Sequence, residues 1–197
     1  MCSLCFSPIK KSFKKVSLTI RSLQAQDVAP IAAAFHALGW NKPVAQYQRY
    51  LHEQDLDLRT VLVALNDAAF VCYVTILWTA EYFPFRAAGI PEIRDFNVLP
   101  ASRRMGVGAC LMDEAERLIA LRSPKVGLGV GLTADYGAAQ RLYAARGYVP
   151  DGRGLVWNNE FVEHGQQVSA DDDLTLQLVK SLQNHLVETA KSVLPAC

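Results

Sequence analysis

Asp95-Phe96-Asn97-Val98-Leu99-Pro100-Ala101-Ser102-Arg103-Arg104-Met105-Gly106-Val107-Gly108 is the stretch whose reading decides the fold. Residues 90–99 read as a strand that ends before Pro100. A helix opens at Gly106 or Val107 and runs to about Arg122, with Val107, Leu111, Ala115 and Leu118 on one stripe and Cys110 and Ile119 flanking it. Asp113, Glu114, Glu116 and Arg117 lie mostly on its other side. A helix start leaves backbone N–H groups unpaired and carries a partial positive charge. Glycines let the loop approach an anion without a Cβ clash. Residues 103–108 therefore form a candidate pyrophosphate cradle, to which Arg103 and Arg104 add charge. A dinucleotide-binding fold is disfavoured. No full G-x-G-x-x-G follows an N-terminal strand, and Gly127, Gly129 and Gly131 alternate inside a strand without opening a helix.

Outward from that stretch, residues 16–20 alternate as a strand, and Asp27 can cap a helix that runs to about His36 and stops at Gly39. A second helix spans residues 43–54, with Pro43 in its first turn. Residues 60–65 and 69–79, parted by Asn66-Asp67, read as a hairpin. Residues 126–132 form a glycine-rich strand, and residues 137–146 a short helix that Gly147 stops. Tyr148 and Val149 start another strand, residues 151–173 are polar and irregular, and residues 174–179 are the last strand. The order β-α-α-β-β-β-α-β-α-β-β implies one α/β domain, a mixed sheet with helices on its faces.

Two segments together resemble the GNAT (Gcn5-related N-acetyltransferase) superfamily. Arg103-Arg104-Met105-Gly106-Val107-Gly108 is similar to its R/Q-x-x-G-x-G/A pyrophosphate loop, and Val98-Leu99-Pro100 to the V-x-P before it. Ala139-Gln140-Arg141-Leu142-Tyr143-Ala144-Ala145-Arg146-Gly147-Tyr148 is similar to its A-x-x-L-Y-x-x-x-G-F/Y segment. The resemblance covers roughly residues 16–180, with residues 1–15 and 181–197 as tails. It implies a mixed, mostly antiparallel sheet of about six to seven strands, with a V-shaped split between two central parallel strands. It also implies acetyl-CoA as co-substrate. Asn97, Val98 and Leu99 would meet the pantetheine arm, Arg103, Arg104, Met105, Gly106, Val107 and Gly108 the pyrophosphate, and Ala139 would belong to the same binding set. Tyr143 would protonate the departing thiolate. One departure stands out: Tyr136 occupies the position where the family often has an Asn that contacts the coenzyme.

The chemistry such a site needs is general. An ammonium must lose a proton before it attacks a carbonyl, an oxyanion must be stabilised, and a thiolate must be protonated. Glu92, eleven residues before Arg103, resembles the glutamate base of the family's histone-acetylating branch, and Asp95 is the second candidate. Unbroken alternation puts Asp95 on the opposite face from Glu92; a bulge, usual in the family here, would change that. Cys110 reads as a core thiol, which favours direct transfer in a ternary complex over an acyl-enzyme.

Acids with aromatics suit a cationic acceptor, either a small-molecule amine or a peptide amine. Candidate contacts are His36, Trp40 and Asn41, then Trp78, Glu81, Tyr82 and Phe83, then Trp157, Asn158, Asn159, Glu160 and Glu163, with Asp171, Asp172 and Asp173 beyond. The rival reading is a non-catalytic acyl-CoA-binding sensor or partner protein.

The chain has 197 residues, 51% apolar and 20% charged, and a formal charge of +1. That balance gives no global field for nucleic acid or a membrane surface. Lys10, Lys11, Lys14 and Lys15 are the one basic cluster. Neither a signal peptide nor an apolar run of ~20 residues is evident, so a cytoplasmic protein is expected. The scattered cysteines imply no disulfide framework, and Cys2-x-x-Cys5 lacks the partners of a zinc site, so no metal is expected. Homodimerisation is left open.

Overall fold

The computed structural model of the chain describes residues 18–182. Its centre is built by two runs that are apolar on both faces. β2 (Arg59–Asn66) pairs antiparallel with β3 (Ala69–Leu77). Asp67 and Ala68 turn between them with φ of 47° and 66°, the left-handed pair that a two-residue hairpin loop needs. Val61, Val63 and Tyr73 pack under α1 (Val28–His36) and α2 (Val44–Asp55). Leu62, Ala64, Cys72, Val74 and Ile76 pack under α4 (Val107–Ala120). Burial on both faces explains why these strands read as continuous apolar runs.

β1 (Leu18–Ser22) flanks β2. On the other side β3 pairs antiparallel with β4 (Glu92–Val98), which lies parallel to β5 (Lys125–Gly131). That parallel pairing lasts for only two residue pairs, Glu92 with Gly127 and Ile93 with Leu128. Beyond them the strands part, and this is the V-shaped split. β8 (Leu174–Ser181), β6 (Val149–Trp157) and β7 (Glu160–Phe161) complete the eight-stranded order β1-β2-β3-β4-β5-β8-β6-β7. α3 (Phe83–Ala87) follows β3, and α5 (Gly137–Ala145) follows β5.

The mixed, mostly antiparallel class is as expected, with eight strands where six to seven were expected. The reading of residues 151–173 as irregular holds for residues 162–173 and is corrected for residues 151–161. After Val149 and Pro150 pair with β8, residues 151–154 leave the ladder, with Gly152 and Gly154 at φ 84°, and Leu155, Val156 and Trp157 rejoin it. Asn158 and Asn159, both left-handed, turn into β7. A four-residue excursion inside a strand looks like a loop in sequence because its residues are the ones loops use. α3 was not expected either.

The core under α4 includes Leu111, Met112, Ala115 and Ile119, all at 0% exposure. Among the described residues no helix is long and apolar enough to cross a membrane, and no group of three or more metal-ligating side chains gathers. The Cys2/Cys5 pair, the lysine cluster and the suspected C-terminal helix lie outside the described residues.

Candidate active site

The cradle is open. Residues 103–106 are exposed, and only the Val107 side chain turns inward, at 4%. Arg104 (φ 62°) and Gly106 (φ 80°) take left-handed backbone, and Gly106 is the N-cap of α4. Cys110 donates the helix's first bond, to Gly106 O at 3.1 Å, while no group among the described residues accepts from the N–H groups of residues 104–109. A run of free amides at the positive end of a 14-residue helix is what a phosphate chain needs. Gly108 packs tightly: a Cβ there would stand 3.0 Å from Phe96 Cζ and 3.3 Å from Val98 Cγ2. Arg103 lies beside the Trp40 ring at 6.0 Å and donates to Val98 O at 3.3 Å. Asn97, Val98 and Leu99 line the end of β4 at the split, all half-buried.

The β4 strand carries both carboxylates on one face. Tyr73 pairs with Asn97 and Thr75 with Arg94, so Val74 faces two residues, Asp95 and Phe96. This bulge, with Asp95 at φ 48°, interrupts the alternation and brings Asp95 round to the face of Glu92, under α1 and α2. The unbroken-alternation reading is thus corrected.

The environments of the two acids differ. Asp95 accepts from Lys42 Nζ at 2.6 Å, Asn97 Nδ2 at 2.8 Å, Gln46 Nε2 and Tyr50 Oη at 2.9 Å each, and from Tyr73 Oη. Burial alone would raise its pKa, yet Lys42 and the hydroxyl donors together hold it below the ordinary carboxylate range. Glu92, 4% exposed, accepts from the backbone N–H of Glu81 at 3.1 Å and lies 3.6 Å from Arg94 Nη1. Here burial prevails, and its pKa is raised despite Arg94 and the backbone donors. Arg94 also meets the half-exposed Glu81 at 2.5 Å, so a chain Glu81–Arg94–Glu92 leads from the surface to the buried acid.

On the other side of the split, Tyr143 is 6% exposed on α5, its ring 5.8 Å from Tyr148, and burial pushes its phenol up. Ala139 is half-buried on the same helix, and Gln140 donates to Gly131 O at 2.8 Å. Tyr136 donates its hydroxyl to Asp172 at 2.9 Å. The glycine stripe of β5 has a structural reason: a Cβ on Gly127 would fall 2.3 Å from the Phe85 ring and one on Gly131 2.4 Å from the Tyr136 ring.

Two further expectations are corrected. Cys110 is exposed, because the buried stripe of α4 runs through Val107, Leu111, Met112, Ala115 and Ile119. Trp78 belongs to the α4 face, packed against Arg122 at 4.1 Å, and not with Glu81 and Tyr82. Trp40 stacks on Phe35 at 5.4 Å, and Trp157 donates to Asp171 at 3.2 Å.

The sequence model described as the acetyltransferase (GNAT) family matches residues 26–148. The chain belongs to the GNAT acetyltransferase family. A search of curated protein sequences finds no match. Solved GNAT-type structures share the fold at low identity. The ribosomal-protein-alanine N-acetyltransferase of Brucella melitensis is 19% identical at TM-score 0.62, over 83% of this chain and 99% of that one. The spermidine N-acetyltransferase of Vibrio cholerae, solved with CoA and spermine, is 16% identical at TM-score 0.61, over 86% and 98%. An N-acetyltransferase of Staphylococcus aureus is 13% identical at TM-score 0.63, over 85% and 99%. GNAT membership brings acyl transfer, with acetyl-CoA as the family's co-substrate. Sequence reasoning missed the Lys42, Gln46, Tyr50 and Tyr73 cluster around Asp95, whose members are 22 to 53 positions away and carry no local signal.

Proposed function

We propose that this GNAT protein transfers an acetyl group from acetyl-CoA to an amine by direct attack in a ternary complex. The observation that carries the reading is the amide run of residues 104–109, unpaired among the described residues and opening on the exposed residues 103–106 beside the β4–β5 split. The amides, with Arg103 and Arg104, would hold the pyrophosphate. Asn97, Val98 and Leu99 would flank the arm in the split, with Ala139 on the facing helix.

Glu92 is the general base. Its raised affinity for a proton suits it to take one from an ammonium, and it lies on the strand that borders the split. Asp95, surrounded by donors, is a poor base and a good anchor. Tyr143, kept protonated by burial, is the general acid: its proton goes to the sulfur as the C–S bond breaks. The new N–C bond and the proton on Glu92 complete the balance. An amine that reaches Glu92 takes the place Arg94 now holds between two carboxylates, which supports a cationic acceptor, a small-molecule or a peptide amine.

The test is free-thiol release from acetyl-CoA across an amine panel, beside calorimetry of acetyl-CoA binding. Thiol release with at least one amine is expected. Gly108→Trp and Arg104→Glu should each weaken acetyl-CoA binding, the first to below detection. Unchanged affinity in both would contradict the cradle assignment.

A further inference from the structure

Arg94 meets two carboxylates of unequal depth. Its Nη1 lies 2.5 Å from Oε2 of Glu81, whose side chain is 52% exposed, and 3.6 Å from Oε1 of Glu92, whose side chain is 6% exposed. The first contact is an ion pair within hydrogen-bond reach. The second is too long for a hydrogen bond and acts through charge alone. The Arg94 side chain is itself 38% exposed, so solvent reaches the cation that stands beside the buried acid. The room next to Glu92 is the room its guanidinium fills.

The surroundings fix the backbone and leave the head group free. Arg94 O accepts from Thr75 Oγ1 at 3.0 Å, and Thr75 accepts from the buried Arg59 at 2.8 Å. On the facing loop, Arg86 of α3 donates to Ala80 O at 3.3 Å and to Glu81 O at 2.9 Å. Among the described residues the Glu81 carboxylate has no cation but Arg94. The other charges packed nearby are engaged: Arg59 with Glu53, Lys42 with Asp95, and the Tyr82 hydroxyl with Asp151. A shift of Arg94 toward Glu81 therefore keeps its hydrogen-bonded pair and strands no charge once another cation meets Glu92.

We propose that Arg94 is a positioning residue that holds the acceptor ammonium's place on Glu92 and yields it by withdrawing onto Glu81. The inference rests on the transferase reading above and deepens it. Charge count supports the exchange. Two carboxylates and one arginine leave one carboxylate without a cation of its own. An incoming ammonium gives each its partner, Arg94 on Glu81 and the ammonium on Glu92. A neutral or anionic acceptor brings no such replacement, so the exchange selects cationic amines. Only the ammonium can go further. A guanidinium keeps its proton, so Arg94 can cover the base and never discharge it. The ammonium breaks an N–H bond, its proton goes to Glu92, and the electron pair stays on nitrogen to attack the thioester. Glu92 and the amine are then both neutral, the state that burial favours.

The experiment records the pH profile of kcat/KM and the KM of propylamine by thiol release in wild type, Arg94→Met, Arg94→Lys and Glu81→Gln. Arg94→Met removes the resident cation. Its acid limb should move to higher pH, and above that limb the KM of propylamine should fall about threefold. Glu81→Gln removes the place of withdrawal. Its limb should move to lower pH, and the KM should rise about threefold. Arg94→Lys keeps a cation and should stay near wild type in both. A merely structural defect would lower kcat in both variants and could not move them in opposite directions. Shifts of the same sign, no shift in either variant, or a KM that rises in Arg94→Met would each overturn the exchange while thiol release in wild type stands. A wild-type protein that releases no thiol with any amine overturns the transferase reading itself, and the exchange with it.

Discussion

The foot of β4 and its bulge, three residues apart on one face, bury a carboxylate each and treat it oppositely. The Glu92 side chain is 6% exposed and that of Asp95 16%, so burial disfavours the charge at both. What differs is the supply of donors. Asp95 has a lysine ammonium and four further side-chain donors, and its pKa falls. Glu92 has two backbone amides and an arginine at 3.6 Å, and its pKa rises. The lesson is that burial alone does not make a base; a site makes one by withholding donors. Asp95 instead holds the bulge at a left-handed φ and ties it to α2 and the loop before it.

The largest break in that comparison should come from Asp95→Ala. It leaves Lys42 without its partner and the Tyr50 and Tyr73 hydroxyls without an acceptor, and about 3–5 kcal/mol of stability should be lost, read by denaturant unfolding. Glu92→Gln should leave stability unchanged or raise it slightly, since the charge it removes is one that burial disfavours. If the two variants lost equal stability, the contrast between the sites would fail.

A smaller effect sharpens the role of the glycine stripe. Gly127→Ala puts a Cβ 2.3 Å from the Phe85 ring, beside the backbone of Glu92, and should cost about 1–3 kcal/mol in the same measurement. No change there would mean that α3 is not seated on β5.

The smallest effect is the pH dependence of stability. The Asp95 pKa is lower folded than unfolded, so its contribution is complete above the unfolded value of ~3.9 and is lost as pH falls through the folded one. Glu92 has the opposite sign: its cost grows as pH rises from ~4.3 to its raised folded value. Asp95→Asn should flatten the acid limb of unfolding free energy against pH, and Glu92→Gln should steepen the net rise with pH. Identical profiles would contradict the assigned directions.

Much of this arrangement was legible before any coordinates. β2, β3, α2 and α4 lie within two residues of the spans read from apolar period and from Gly and Pro punctuation. The cradle was legible because a helix start is a local event, set by Gly106 and its neighbours. The bulge at Asp95 was anticipated only through the family resemblance, because one extra residue in a strand leaves no trace in composition yet reverses which face the next side chain joins. The donors around Asp95 were hidden for another reason: Lys42, Gln46, Tyr50 and Tyr73 converge only through tertiary packing. Residues 151–154 and β7 were misread because turn-type residues stand inside a ladder. Cys110 was placed inward by a stripe drawn one position off the true buried line.

The most direct test of the central claim is the pH dependence of kcat/KM for acetyl transfer in wild type, Glu92→Gln and Asp95→Asn. The wild-type rate should rise with pH through an apparent pKa above the ~4.3 of an ordinary glutamate. Glu92→Gln should lose that limb and about 10²–10⁴ in rate, and Asp95→Asn should keep it. A limb that survives in Glu92→Gln, or vanishes in Asp95→Asn, would contradict the assignment of Glu92 as the base.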